Sequence, residues 1–318
     1  MHPLVRALLS AWEWRPEVLI VLITLGTLYV TGWRRLRRQR PGSRLASVPR
    51  LAAYLGGLFA LAVSLLSPID RLGGQLFYMH MIQHLLSIMV AAPLLWLGMP
   101  FPVALWGLPA HLRRAVARFF VRDSRFRQGL RQATRPAIAW LAFITIYVGW
   151  HDANLYNLAL ERDWVHDLEH ITFFGAALLY WWHVVGAGPR IHGRFPAWAR
   201  IGYLIGTVPP NMLLGVIIAY SDSVIYTYYL SVPRIWGVTA LQDQMIGGVI
   251  MWIPGSMMFI VAALIVLARA LDGDEPQPDS RAGWDDEAHM VAPGLEHRVT
   301  QNRWRRLHAS RTRTVDAP

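Results

Sequence analysis

The chain has no cysteine and no lysine. Without cysteine there is no disulfide framework, no thiolate metal site and no CxxC redox centre, so any metal must be held by His, Met, Asp, Glu or backbone oxygen. Charge of either sign is scarce: charged residues make up 16% of the chain against 54% hydrophobic, and mean hydropathy is +0.30, outside the balance of an ordinary soluble domain. With lysine absent, arginine carries all of the formal net charge of +11, and the arginines lie between long uncharged blocks. That placement is a topology signal rather than a groove for phosphates, so nucleic acid is not an expected partner. There is no internal repeat. No small-residue cleavage site follows the first apolar block, which therefore reads as a retained helix and not a signal peptide.

What the chain does have is seven apolar blocks, at about residues 17–33, 51–67, 77–98, 136–150, 164–185, 201–220 and 244–270. They predict an all-α integral membrane fold with seven transmembrane helices, in contact with membrane lipids throughout. The membrane domain covers residues 1–271, and a polar tail follows over 272–318. The sixth block contains Pro209-Pro210-Asn211 and must kink or break there. Between the third and fourth blocks, residues 103–135 set Leu112, Val116, Phe119 and Phe120 at helical spacing among Arg113, Arg114, Arg118, Arg122, Arg125 and Arg127. This predicts a basic amphipathic segment lying on an anionic membrane surface. The tail is first acidic and then Arg-rich, lacks an apolar period and is expected to be disordered.

Arginine placement also sets orientation. The first-to-second, third-to-fourth and fifth-to-sixth connections hold nearly all of it, including Arg190, Arg194 and Arg200, whereas the other three hold Arg71, Arg162 and Arg234. The excess of positive charge belongs in the cytoplasm, which places the N-terminus outside and the amphipathic segment and C-terminus inside, in a multi-pass protein of the plasma (inner) membrane.

On that map, five of the twelve histidines fall at one depth near the outer interface. His80 and His84 lie in the first turns of the third helix, His151 at the end of the fourth, and His166 and His170 in the first turns of the fifth. Both pairs have i, i+4 spacing, which stacks two imidazoles on one helix face. One such pair arises readily by chance; two pairs and a fifth histidine at one depth predict a metal site, because ionisable groups in a span are costly and default to function. Imidazole suits Cu, Zn, Fe and Ni, so spacing alone leaves the metal open. Asp243 opens the seventh helix on the same side, as a further ligand or as the acceptor that orients an imidazole, and Asp167 and Glu169 flank the second pair in position to do the same. His183 lies about 20 Å deeper in an aromatic-belt setting, Trp181-Trp182-His183. His111, His192, His289, His297 and His308 read as solvated and cytoplasmic. Met79, Met81, Met245 and Met251 lie near the cluster, but methionine is common in core and lipid-facing positions and decides nothing alone.

At these residues the chain resembles the polytopic CtaG proteins, assembly factors for haem–copper cytochrome c oxidases. The carrying segments are Met79-His80-Met81-Ile82-Gln83-His84-Leu85-Leu86 with Ala91-Ala92-Pro93-Leu94-Leu95 and Gly98, then Trp150-His151 with Leu155-Tyr156, then His166-Asp167-Leu168-Glu169-His170 leading to Trp181-Trp182, and finally Asp243-Gln244, Gly247-Gly248 and Met251-Trp252. The resemblance spans about residues 50–270 and excludes the single-helix, cysteine-bearing copper chaperones that share the name. It implies a protein that is not an enzyme and that assists oxidase maturation. Copper would be held by His80, His84, His166 and His170, with His151 and Asp243 as further ligands or supports, and passed to a membrane-embedded oxidase subunit. The competing readings are a membrane haem or di-iron oxidoreductase, although adjacent His-His pairs are absent, and a metal transporter using the broken sixth helix.

Overall fold

The structure, a computed structural model, describes residues 12–120, 124–189, 191–193 and 195–272. Among these residues it is all-helical, with no strand. Each apolar block of the sequence is a helix: α1 (Pro16–Gln39), α2 (Val48–Leu66), α3 (Phe77–Leu97), α4 (Pro136–Trp150), α5 (Asp163–Val185), α6 (Ala197–Ala219) and α7 (Ala240–Leu271). Local chemistry sets their limits. Pro16 and Pro136 begin α1 and α4, where the missing N–H costs nothing. Gly186 ends α5 at φ +69°, the left-handed turn that suits glycine. A Thr239–Gln242 capping box starts α7.

Five of the seven, α1, α2, α3, α6 and α7, are long and apolar enough to cross a membrane. Helix α4 is apolar but has only 15 residues. Helix α5 has 23 residues, enough in length, but carries Asp163, His166, Asp167, Glu169 and His170 in its first turns. Outward-facing side chains are apolar over most of the bundle: Ile23, Phe59, Ile171 and Leu213 are 64%, 69%, 70% and 62% exposed. Large apolar side chains exposed along helices of membrane-spanning length suit a lipid surface, so the described residues form an all-helical membrane protein.

Successive helices alternate in direction. At one end, Arg15 pairs with Asp167 (2.5 Å), joining the starts of α1 and α5, and Ser64 near the end of α2 donates to the Gln83 carbonyl of α3. At the other end, the Tyr29 hydroxyl of α1 donates to the Gly98 carbonyl just past α3 (2.6 Å). Helix α3 is central and packs against α2, α5 and α7. The α7 approach needs glycine: a Cβ on Gly247 would lie 2.2 Å from the Phe77 ring of α3, and one on Gly248 would lie 2.5 Å from the Ala219 nitrogen of α6.

Helix α6 breaks at Gly206-Thr207, just before Pro209-Pro210, as those prolines predict. The Thr207 hydroxyl at the break takes the Trp140 indole N–H (3.0 Å) and lies 2.9 Å from the Tyr180 hydroxyl. Two further irregularities interrupt the helices. Helices α3 and α7 each contain a π-bulge, Leu86–Ala91 two residues before Pro93 and Met251–Gly255 with Pro254 inside it. Proline lacks the N–H that would continue the regular ladder.

The segment expected to be amphipathic divides in two. Pro100–Gly107 is an apolar helix packed on α1, with Val103 and Trp106 buried. Ala110–Phe119 and Arg125–Ala133 are short basic helices with no buried residue, and Leu112 and Phe119 are exposed. Packing of Val103 and Trp106 against α1 removes the first part from any surface role. Arg122, Arg190, Arg194 and the tail from residue 273 onward, with His289, His297 and His308, lie outside the described residues.

Candidate metal centre

The first turns of α3 and α5 face each other at the end of the bundle where α1, α5 and α7 begin. One helical turn separates His80 from His84 and His166 from His170, so all four imidazoles project into the same space. The Nε2 atoms of His80 and His84 are 2.5 Å apart, and those of His166 and His170 are 3.1 Å apart. Two imidazole nitrogens that close need a proton or a cation between them. Across the helices, ring centroids of His80 and His166 are 5.4 Å apart, and those of His84 and His170 are 5.2 Å apart.

Glu169 completes the cluster. Its Oε1 lies 3.3 Å from His84 Nε2 and 3.6 Å from His80 Nε2, and its side chain is 1% exposed. In sequence Glu169 is one of two acids flanking the second histidine pair. The packing of α5 on α3 turns Glu169 inward, whereas Asp167 pairs with Arg15 of α1. The ligand atoms form two overlapping groups, His80–His166–His170 and His80–His84–Glu169, each with all donors within 4.8 Å of one another. Glu169 Oε2 and the Nδ1 atoms of His80 and His84 are buried without a hydrogen-bond partner, an unusual debt for buried polar atoms. Four imidazoles with one carboxylate form a nitrogen–oxygen donor set that fits a first-row transition metal.

His151 and Asp243 belong to neither group. His151 lies beyond the cluster, its ring 4.9 Å from Tyr147 and 6.1 Å from Phe173. Asp243 is fully buried, but its carboxylate is otherwise engaged. Oδ2 and Oδ1 accept the Phe77 and Tyr78 N–H groups, both at 3.0 Å, and Oδ2 also accepts from Arg234 (2.8 Å). Asp243 therefore caps α3 at the N-terminal turn that carries His80 and fixes α7 against it. Gln83, between the two α3 histidines, donates to the Ser64 carbonyl and to Asp70, which locks the rotation of α3. Burial pushes the Asp70 carboxyl above its ordinary value.

A roof of tyrosines closes this end. The Tyr156 ring lies 5.2 Å from His80, and its hydroxyl lies 3.1 Å from that of Tyr229, which donates to the Gly73 carbonyl (2.8 Å). The Tyr226 hydroxyl donates to the His151 carbonyl (3.1 Å). Burial pushes all three phenols up, so they remain neutral. Tyr226 and Tyr229 carry no periodic signal in sequence, because the connection between α6 and α7 that holds them is irregular apart from the one-turn helix Tyr228–Ser231. The less enclosed side of the cluster is at His166, beside the exposed Trp164 and Ile171.

At the opposite end, His183 Nε2 lies 2.8 Å from the Thr134 carbonyl, and His192 Nε2 lies 2.7 Å from the Thr134 hydroxyl. His183 stacks on Trp182 as a belt residue would. His192 is half-buried rather than solvated, because the chain after α5 folds back over Thr134.

Residues 27–272 match the family described as cytochrome c oxidase caa3 assembly factor (Caa3_CtaG). An uncharacterized protein of Mycobacterium leprae (strain TN) is 28% identical over 278 residues, covering 80% of this chain and 39% of the relative. An uncharacterized protein of Mycobacterium bovis is 28% identical over 275 residues, covering 84% of this chain and 41% of its own length. The chain thus spans about two fifths of the length of the curated relatives it matches. No solved structure matches it.

Proposed function

Because the chain belongs to the family of cytochrome c oxidase caa3 assembly factors, we propose that it binds copper in the His80–His84–His166–His170–Glu169 cluster and delivers it to a membrane-embedded subunit of a haem–copper oxidase. The observation that carries this reading is the convergence of four imidazole nitrogens and one buried carboxylate oxygen at one end of the bundle. Copper is cargo here, not a resident cofactor, and the protein is not an enzyme. Cargo must leave again, and the overlapping ligand groups that share His80 offer exchange of one ligand at a time instead of a closed tetrahedral cage. The open flank at His166 gives lateral access within the membrane, where an oxidase subunit would dock.

The reading includes seven membrane spans, with the histidine end outside and the C-terminus in the cytoplasm of a plasma-membrane protein. The antiparallel order of the helices supports it, as does the charge asymmetry: Arg34, Arg35, Arg37, Arg38, Arg113, Arg114 and Arg200 gather at the end away from the cluster. Helix α5 would enter the membrane despite its acidic first turns, because Glu169 faces the bundle interior, Asp167 pairs with Arg15, and the exposed Asp163 is the first residue of the helix, at its outer end. Copper reaching the cluster would then come from the non-cytoplasmic side.

One observation favours a second reading. A carboxylate among four histidines is also a donor set for iron, and an iron-dependent oxidoreductase would need it. A host lacking the protein separates the two. Haem–copper oxidase activity and oxidase copper content should fall together, while a quinol-dehydrogenase activity in the same membranes stays level. Complementation with the His80→Ala/His166→Ala protein, at matched accumulation, should fail to restore either. Full oxidase copper in that complemented strain would refute copper delivery.

A further inference from the structure

Next to the cluster lies a cavity of about 30 Å³, bordered by Met81, His84, Met89, His151 and Met251. The two π-bulges build it. Met89 sits in the bulge of α3 and Met251 opens the bulge of α7; such bulges shift side chains off the regular helix face and concentrate at functional sites. The three thioethers are buried, at 2%, 5% and 4% exposure for Met81, Met89 and Met251.

His151 is prepared as a ligand. Its Nδ1 lies 2.6 Å from the Tyr147 carbonyl, an acceptor only, so Nδ1 carries the proton and Nε2 carries a lone pair. Nε2 is buried and has no hydrogen-bond partner. A metal-binding imidazole has this arrangement, with one nitrogen tied to a backbone carbonyl and the other free. Tyr147 and Asn211, also at the cavity, have spent their hydrogens, and His84 adds a second buried nitrogen, Nδ1, with no hydrogen-bond partner. Tyr147 donates to Asn211 Oδ1 (2.8 Å), and Asn211 Nδ2 donates to the Met251 carbonyl and to Ser256 Oγ, both at 3.0 Å. Apart from these groups the lining is thioether and hydrocarbon around the imidazole lone pair of His151.

We propose that this cavity is a second metal site, holding a soft monovalent cation of the Cu(I) class through His151 Nε2 and the thioethers of Met81, Met89 and Met251. Imidazole with thioether selects Cu(I) over Zn and the harder divalent ions. His84 borders the cavity with its ring and meets Glu169 and His80 through Nε2. It is the shared wall through which an ion from the outer cluster reaches the inner site. Only this loading step rests on the proposed function; the inner site stands on its own lining.

The test uses the purified full chain in detergent with Ag(I), a redox-inert probe for Cu(I), and X-ray absorption at the silver edge. The wild type should show sulfur scattering alongside nitrogen or oxygen. Met81→Leu/Met89→Leu/Met251→Leu, which keeps side-chain volume, should lose the sulfur signal, and His151→Gln should weaken Ag(I) binding by about tenfold or more. Wild-type silver with only nitrogen or oxygen neighbours overturns the proposal, whether or not the triple variant folds. Sulfur scattering that persists in a folded triple variant overturns it as well. His166→Ala breaks the outer cluster alone: a sulfur-ligated ion retained there upholds the inner site even if the copper reading of the outer cluster fails.

Discussion

Replacing Glu169 with glutamine keeps the size of the side chain and one acceptor oxygen, and removes only the charge. Oε1 lies 3.3 Å from His84 Nε2 and 3.6 Å from His80 Nε2, so a cation held by those nitrogens sits close to the carboxylate. At about 4 Å and an effective dielectric near 20, one pair of unit charges is worth ~4 kcal/mol. If relaxation and the amide oxygen offset half of that, at least ~2 kcal/mol is lost, so Kd for a monovalent ion should rise between roughly thirtyfold and a thousandfold. A competition titration of Cu(I) against a chromophoric chelator, on the detergent-solubilised chain, reads this range. The metal-free protein should unfold within a few degrees of wild type, because Glu169 Oε2 has no hydrogen-bond partner to lose. The rise in unfolding temperature that saturating metal gives the wild type should shrink, since that rise follows the ratio of free metal to Kd. Unchanged copper affinity in a folded Glu169→Gln protein would refute the role of the carboxylate in holding the ion.

Other expectations follow from neighbouring residues. Asp243→Asn should destabilise the fold by about 2–4 kcal/mol, since it weakens charge-assisted bonds to two helix N–H groups and removes the ion pair with Arg234; thermal unfolding measures it, and metal affinity should fall less than in His80→Ala. His80→Ala, His84→Ala, His166→Ala and His170→Ala should each strongly weaken metal binding, whereas His183→Ala should leave it intact; equal binding by all five at matched folded yield would remove the cluster from consideration. A topology reporter fused after Arg40 should report the cytoplasm and one at Glu161 or Ser231 the outside; a cytoplasmic signal at Glu161 would invert α5 and place the cluster on the wrong side for copper arriving from outside.

Much of the fold was written in hydropathy. Every apolar block became a helix, and the proline pair in the sixth predicted the break near Thr207. The bulges in α3 and α7 were not legible, because Pro93 and Pro254 within an apolar run are compatible with a kink, a bulge or a helix end; packing decides among them. In the site, i, i+4 spacing placed His80 with His84 and His166 with His170, since that relation is fixed by helix geometry alone. Two other placements depended on contacts between helices. Asp243 shares the depth of the cluster but is spent on the backbone of α3 and on Arg234. Glu169 looked like one of two flanking acids, and only the angle between α5 and α3 shows which of Asp167 and Glu169 turns inward. The tyrosine roof was invisible for the same reason: Tyr156, Tyr226 and Tyr229 come from irregular or short segments whose meeting point follows from tertiary packing.

The most direct test of the copper-holding cluster is metal content and X-ray absorption of the purified full chain loaded with copper, compared between the wild type and the His80→Ala/His166→Ala protein. We expect tightly retained copper in the wild type with imidazole scattering, and loss of that imidazole-bound copper in the double variant while helicity and unfolding of the metal-free protein stay comparable. Copper retained by the double variant with unchanged imidazole scattering, or a wild type that takes up iron in preference to copper, would contradict it.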